Sequence, residues 1–224
     1  MIAIIGAMQI EVDEILKLCE DVEEKVISSR KFYLAKLSGK EIVICLSGVG
    51  LVAASMSTTI LLEHFNLDLI INIGTAGGIK DNQEVLDIVL SNGVVQHDFD
   101  TSAVDGESGF GLYFGCNQEL VDKALICLTP FGRVHCGVVA SGDQFVAHDD
   151  LIHRIKKQFP DVICAEMEAA AIAQVAHNYK MNLIVIRSLS DVALKNDSHL
   201  DFLEYAKVAS ARSAQFCKKM VESL

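Results

Sequence analysis

The feature that most limits how this chain can fold is a set of short, unbroken apolar runs, each ended by glycine or by acidic residues. Met1-Ile2-Ala3-Ile4-Ile5-Gly6 is the first, and residues 67–73, Val162-Ile163-Cys164-Ala165 and Leu183-Ile184-Val185-Ile186 repeat the pattern. Runs this short and this rich in β-branched residues read as strands buried on both faces. Stretches with helical spacing lie between them, at 7–18, 52–65, 117–128 and 148–157, with a long closing helix at 202–224. Further strands are expected at 26–37 and 42–45, joined around Ser38-Gly39-Lys40, and at 85–95 and 133–139. Alternation of this kind predicts an α/β fold: a mixed, largely parallel central sheet with helices on both faces. With only Pro130 and Pro160, no repeat and no Ser/Gly/Pro-rich linker, the chain reads as one domain, residues 1–224. A hydrophobic content of 51% fits one well-filled core better than two modest ones.

Charge narrows the function. A formal net charge of -11 argues against nucleic acid, which selects basic surfaces, and against anionic membranes. A small neutral or cationic ligand is compatible with it. The seven cysteines form no CxxC pair and mostly sit in apolar runs, as buried thiols do in reducing compartments. No metal site, cofactor or disulfide framework is indicated. The opening apolar run is too short for a signal peptide or a membrane span, so a cytoplasmic protein is expected.

The chemistry-bearing residues cluster where strands end. Val162-Ile163-Cys164-Ala165 leads into Glu166-Met167-Glu168, followed by the helix-forming Ala169-Ala170-Ala171. The run 183–186 delivers Arg187, Ser190 and Asp191 at its own carboxyl end. Open α/β sheets place ligands at such strand ends. If the two runs are neighbouring parallel strands, Glu168 and Asp191 open into one crevice. Acidic residues at helix starts are also favoured by the helix dipole alone, and Glu11, a turn into the first helix, has the same bland reading. Gly74-Thr75-Ala76-Gly77-Gly78 follows a buried strand, either as a glycine turn or as a place where a ligand approaches backbone amides. Phe145, after Ser141-Gly142-Asp143, can stack on a flat base or plug the core. His97-Asp98 lacks a third metal ligand and reads as a hydrogen-bonded loop or subunit contact. Residues 105–114 form a glycine- and aromatic-rich loop able to cover a site, and 194–199 a polar loop well placed to move.

Taken in order, Gly6-Ala7-Met8 with Glu11, Gly74-Thr75-Ala76-Gly77-Gly78, Ser141-Gly142-Asp143 with Phe145, Glu166-Met167-Glu168 and Ser190-Asp191 form a set that spans nearly the whole chain. That set resembles the methylthioadenosine/S-adenosylhomocysteine nucleosidases of the purine nucleoside phosphorylase superfamily. The resemblance implies an N-glycosyl hydrolase that works without cofactor or metal, on a sheet curled toward a barrel, as a homodimer active in methionine salvage. It implies Asp191 as general acid toward adenine and Glu11 as the base that activates water. Glu168 would grip the ribose hydroxyls with Met167 beneath the sugar, and Phe145 would stack on adenine while the main chain of Val146 reads its edge. Ser190 would orient Asp191, and Arg187 would sit near the water and Glu11. Met8, Thr75, Ala76, Gly77, Glu166 and Phe202 complete the expected binding set, Phe202 in a mobile lid. The segment between Asp98 and Phe114 would reach the partner subunit's site. Thr75 and Val146 stand where serine and isoleucine are commoner in the family.

The chemistry asks for the same groups. Cleaving ribose from adenine leaves positive charge on the sugar and negative charge on the base, so a proton donor to the base and carboxylates around the sugar both help. The nearest rival is a phosphorylase of the same fold, which needs arginines for phosphate near the first glycine turn; Met8, Gln9, Ile10 and Glu11 stand there instead. Aminodeoxyfutalosine is an alternative substrate. A nucleoside sensor without catalysis is the reading from another class, opposed by the presence together of Glu11, Glu168 and Asp191.

Overall fold

The computed structural model describes residues 1–192 and 198–224, with side chains described outside 193–204. β1 (Ile2–Gly6) leads into α1 (Gln9–Leu16), and β2 (Glu20–Ile27), β3 (Arg30–Leu37) and β4 (Lys40–Leu46) follow as two tight hairpins before α2 (Leu51–His64). β5 (Leu69–Gly78) and β6 (Ile88–Asp100) are long; α3 (Ser102–Asp105) and β7 (Phe110–Gly115) come next. The second half runs α4 (Gln118–Leu128), β8 (Val134–Ser141), α5 (Asp149–Gln158), β9 (Val162–Glu166), α6 (Ala169–Asn178), β10 (Leu183–Val192) and α7 (Ser198–Ser223).

All the described strands belong to one mixed sheet in the order β10-β6-β8-β9-β5-β1-β4-β3-β2, with β7 on β6. β10 also pairs with β5, so β5, β10, β6, β8 and β9 close into a ring, while β1, β4, β3 and β2 extend from it as an open flap. The sheet therefore curls toward a barrel without becoming one. Its buried strands sort their side chains by the two-residue period. Ala3, Ile5, Val43, Cys45, Ile70 and Val185 face α2 and α6, whereas Ile4, Ile42, Ile44, Ile71, Ile184 and Ile186 face α1, α4 and α7. A third cluster packs α5 through Ile152 and Ile155 against Val162 and Ala165 of β9. Each such Ile or Val side chain contributes about 1.5–3 kcal/mol by leaving water, which is why the two-faced strands need helices on both sides.

Five expectations are corrected. The stretch 26–37 is not one strand, because Ser28 and Ser29 turn the chain with φ of 49° and 63°, the signature of a two-residue hairpin turn. The strand before that turn, β2, is exposed along nearly its whole length, so no apolar alternation announced it. The 105–114 stretch is not all loop, since residues 110–115 pair with β6 as β7. Gly74-Thr75-Ala76-Gly77-Gly78 is not a turn: β5 continues straight through it, held by a ladder to β10 from Arg187↔Gly74 to Val192↔Gly78. Finally, the runs at 162–165 and 183–186 are not neighbouring parallel strands. They lie on opposite edges of β5, β9 antiparallel to it and β10 parallel. The closing helix begins at Ser198 rather than 202, and of the anticipated 194–199 loop residues 194–197 lie outside the described residues. Among the described residues no helix is long and apolar enough to cross a membrane.

The same layering sets an expectation for stability. Ile71→Ala, on β5 and fully buried, should cost about 2–5 kcal/mol, whereas Val26→Ala on exposed β2 should stay within about 0.5 kcal/mol. Urea denaturation of both variants measures the contrast; equal losses would mean that β2 has an apolar cover.

Candidate active site

The cavity opens where β5 changes partners. Its first half pairs with β1, ending at Ile5↔Asn72, and the same edge resumes with β9 at Gly77↔Ala165. Among the described residues, Ile73 to Ala76 have no strand partner on that edge. β1 and β9 diverge there, and a cavity of about 240 Å³ forms between their carboxyl ends. Ala7, Met8, Glu11, Thr75, Ala76, Gly77, Phe145, Val146, Glu166, Met167, Glu168, Ser190 and Asp191 line it, joined by Val49, Gln144 and Ala165.

Glu11 enters from α1. It is the third residue of the helix and reaches back to its start, where Oε2 accepts from Ala7 N at 2.8 Å and Met8 N at 3.0 Å. That half of its role is the helix cap of the bland reading. Its other oxygen crosses to the bare edge of β5, Oε1 accepting from Thr75 N at 3.1 Å. The approach requires glycine at 74, since a Cβ there would lie 2.8 Å from Glu11 Oε1. Burial pushes the Glu11 carboxyl above the ordinary glutamate value, against the pull of the Met8 amide and the Arg187 charge.

Asp191 arrives on the opposite edge of β5 by means of a bulge. The ladder runs Leu189↔Ala76 and then Asp191↔Gly77, so Ser190 is the extra residue. An inserted residue re-aims a strand's side chains, and here it lets consecutive residues, Ser190 and Asp191, line one cavity instead of pointing to opposite faces. Ser190 Oγ donates to Asp191 Oδ1 at 2.9 Å. Asp191 is 2% exposed, and a Cβ on Gly77 would lie 3.0 Å from its Oδ2. The glycines of β5 thus make room for two carboxylates, Glu11 at 74 and Asp191 at 77, separated by roughly 10 Å of strand.

Glu166 and Glu168 behave differently from each other. Glu166 turns inward: its carboxylate accepts from the amides of Glu168 and Ala169, from Ser141 Oγ, and from Arg187 Nη2 at 2.7 Å. It caps α6 and neutralises the buried guanidinium, so although it borders the cavity its oxygens are committed to the protein. Arg187 is fully buried and lies behind the cavity wall, with Nη1 donating to Asn72 O at 3.1 Å and Nη2 to Asn72 Oδ1 at 2.5 Å. Glu168 faces the cavity, held by Gly50 N at 2.9 Å from the start of α2. Burial, and then the Glu166 charge, push its carboxyl up to about 8.

At the mouth, Phe145 stands 43% exposed and Val146 is buried beneath it. Their loop is fixed by Asp143, whose Oδ1 accepts from Leu51 N at 2.7 Å and whose amide donates to Asp98 Oδ2 at 3.0 Å. Asp98 lies in β6 and not in a loop as expected, although its carboxylate bonds the neighbouring loop at Asp143, while His97 is buried beside it with its imidazole held below the ordinary histidine range by burial. No group of His, Cys, Asp and Glu among the described residues could hold a metal ion. The Phe202 side chain lies outside the described residues. Sequence reasoning gave no role to Asn72, Ser141, Val49 or Gln144. For Asn72 a signal existed: it is the one polar residue in Leu69-Ile70-Ile71-Asn72-Ile73.

Known proteins resemble this chain in sequence and fold along its whole length. The phosphorylase superfamily matches residues 1–222. A 5′-methylthioadenosine/S-adenosylhomocysteine nucleosidase of Tolumonas auensis is 38% identical over 100% of this chain and 99% of its own length. The crystal structure of the same nucleosidase from Neisseria meningitidis, in complex with methylthio-immucillin-A, superposes with a TM-score of 0.93 at 33% identity, covering 100% of this chain and 99% of that one. Futalosine hydrolase of Helicobacter pylori superposes equally well, with a TM-score of 0.93 at 28% identity over 100% of this chain and 97% of that one.

Glu168 sets a pH dependence. Its folded-state value of about 8 lies above the ordinary 4.5, so between them the folded chain holds a proton that the unfolded chain releases. The stability it contributes is full below about pH 4.5 and is lost as pH rises through about 8. Glu168→Gln should flatten that part of the stability–pH curve in urea titrations; an unchanged slope would remove Glu168 as its source.

Proposed function

Because the chain belongs to the phosphorylase superfamily and, within it, to the 5′-methylthioadenosine/S-adenosylhomocysteine nucleosidases, we propose that it hydrolyses the N-glycosidic bond of both nucleosides. The products are adenine with methylthioribose or S-ribosylhomocysteine. One observation carries this reading. Glu11, reaching the unpaired edge of β5 at Thr75, and Asp191, set opposite Gly77 on the other edge, are buried carboxylates from opposite ends of the chain that line the same cavity.

As the bond between C1′ and the purine nitrogen lengthens, its electron pair moves onto adenine and positive charge develops on the ribose. Asp191 delivers its proton to adenine N7, oriented by the Ser190 hydroxyl on Oδ1. Glu11 takes a proton from the water that attacks C1′; each of its oxygens has two lone pairs, so bonding to Ala7, Met8 and Thr75 leaves capacity for that water. Glu168 accepts from the ribose hydroxyls, with Met167 beneath the sugar. Phe145 stacks on the base, whose edge meets the main chain of Val146 and the side-chain-poor wall of Thr75, Ala76 and Gly77. Arg187 acts at a distance: it keeps Glu166 buried, and its charge bears on Glu11 without facing the cavity. The lid role of Phe202 belongs to the same reading.

Hydrolysis is favoured over phosphorolysis by what occupies the first turn. The Ala7 and Met8 amides, which an anion would need, already hold the Glu11 carboxylate, and a phosphate there would meet negative charge. The Arg187 guanidinium is spent on Glu166 and Asn72. The likeness to futalosine hydrolase supports aminodeoxyfutalosine as an alternative substrate. We take residues 1–224 as one domain, since strands from both halves of the chain share one sheet. We read it as a homodimer in which the segment between Asp98 and Phe114 completes the partner's site, which would cover Val104 and Tyr113, now exposed. Its seven free cysteines suit the cytoplasm.

Asp191→Asn should lower kcat on methylthioadenosine by about 10²–10⁴-fold while nucleoside binding stays measurable by calorimetry. Wild-type turnover in that variant would take the proton-donor role from Asp191. Adenine release should proceed at the same rate with and without phosphate, measured by reversed-phase chromatography; strict dependence on phosphate would replace the hydrolase with a phosphorylase.

A further inference from the structure

The bulge that turns Asp191 into the cavity is gripped from behind. The antiparallel ladder between β10 and β6 ends at Ser188↔Ile88. Beyond it the residues leading into β6 continue the contact, Leu86 N donating to Leu189 O at 2.8 Å and Leu189 N donating to Asp87 O at 2.9 Å. Leu189, the residue just before the bulge, is thus held at both its amide and its carbonyl. The grip puts Leu86 at φ 71°, a left-handed conformation that a leucine adopts only where its surroundings impose it.

Those surroundings are built from polar groups that the proposed chemistry does not use. Asp87 Oδ2 accepts from Glu84 N at 3.0 Å, and His135 Nε2 on β8 lies 2.7 Å from it, with Arg133 Nη1 at 3.7 Å. Asp87 and His135 are both largely buried, so this is no solvated surface pair. The other end of the segment is tied to β9. Gln83, fully buried, accepts from Lys80 N through Oε1 at 2.9 Å and donates from Nε2 to Ile163 O at 2.9 Å. Lys80 Nζ donates to Pro160 O at 2.7 Å. Residues 79–87 therefore form a strap from β9, the strand that ends in Glu166, to the bulge of β10 that carries Ser190 and Asp191.

We propose that Asp87 and His135 are positioning residues for the reaction: acting through this strap, they hold the Leu189–Asp191 bulge in the register that aims Ser190 and Asp191 into the cavity. The inference rests on the reading of Asp191 as proton donor. It separates geometry for catalysis from affinity, because Phe145, Val146 and Glu168, which would bind the nucleoside, sit on other segments.

The test is steady-state hydrolysis of methylthioadenosine by Asp87→Ala and His135→Phe. Active sites are counted with a tight-binding nucleoside analogue, and folding is followed by thermal melting. Misplacing a catalytic group by about an ångström costs roughly ten- to a hundredfold, so kcat per counted site should fall by that factor with KM changed less than about threefold. His135→Gln, which keeps a side-chain donor, should recover most of the loss. Asp87→Asn keeps an oxygen for the Glu84 amide and serves if Asp87→Ala does not fold; the same split is expected, in smaller degree. Unchanged kcat per counted site in His135→Phe and Asp87→Asn would overturn the proposal, and so would a loss confined to KM or to the number of active sites. Asp191→Asn is the control. If it is inactive while the strap variants turn over normally, only the positioning role falls; if it remains active, the proton-donor reading falls first.

Discussion

The whole arrangement depends on how β5 divides one edge between two strands. β1 uses its first half and β9 its second, with four residues between them that bond to neither. A strand in mid-sheet cannot leave backbone amides buried and unpaired without cost. Here the Thr75 amide is satisfied by Glu11 and the Gly74 amide by Ser213 Oγ from α7. The gap in the sheet therefore recruits polar side chains from distant segments, and the cavity opens where they converge. Ring closure through β10 then brings Asp191 to the other edge of β5, opposite Gly77 just beyond that stretch.

That cavity concentrates carboxylates. Glu11, Glu166, Glu168 and Asp191 are all buried, the three glutamates near the Arg187 guanidinium. Burial of so many acids is tolerable because backbone amides bond to them: those of Ala7, Met8 and Thr75 to Glu11, of Glu168 and Ala169 to Glu166, of Gly50 to Glu168. What the amides do not relieve is expressed as proton affinity, and Glu11 and Glu168 are both shifted upward. The Glu11 carboxylate, which already holds the Ala7 and Met8 amides, makes the site poorly suited to phosphate and well suited to a ribose that becomes cationic as its bond to the base breaks.

Not all of these acids serve the same end. Glu166 and Glu168 are separated by one residue, and both were expected to bind substrate, Glu168 at the ribose hydroxyls. Local geometry divides them: Glu166 ends β9 and caps α6, while Glu168 lies past the strand and faces outward to the cavity. Arg187 shows the same division. Its position after an apolar run suggested a site residue, yet its partners are Glu166 and Asn72, and it stiffens the wall without entering the cavity.

Much of this was legible in the chain itself. The period of apolar residues marks β1, β9, β10 and most helices, because burial on two faces demands unbroken apolar runs and burial on one demands helical spacing. The ordered motifs around Glu11, Gly77, Phe145, Glu168 and Asp191 mark the cavity, because each stands at a strand end. Only the tertiary structure decided the rest. β2 has no buried face and exists through its pairing with β3, and Gly74-Thr75-Ala76-Gly77-Gly78 is strand instead of turn because β10 pairs along all of it. That β9 and β10 flank β5 without pairing with each other, and that Ser190 is a bulge, are facts of register. Local sequence sets which face a side chain prefers; which strand lies beside it is settled by contacts a hundred residues away.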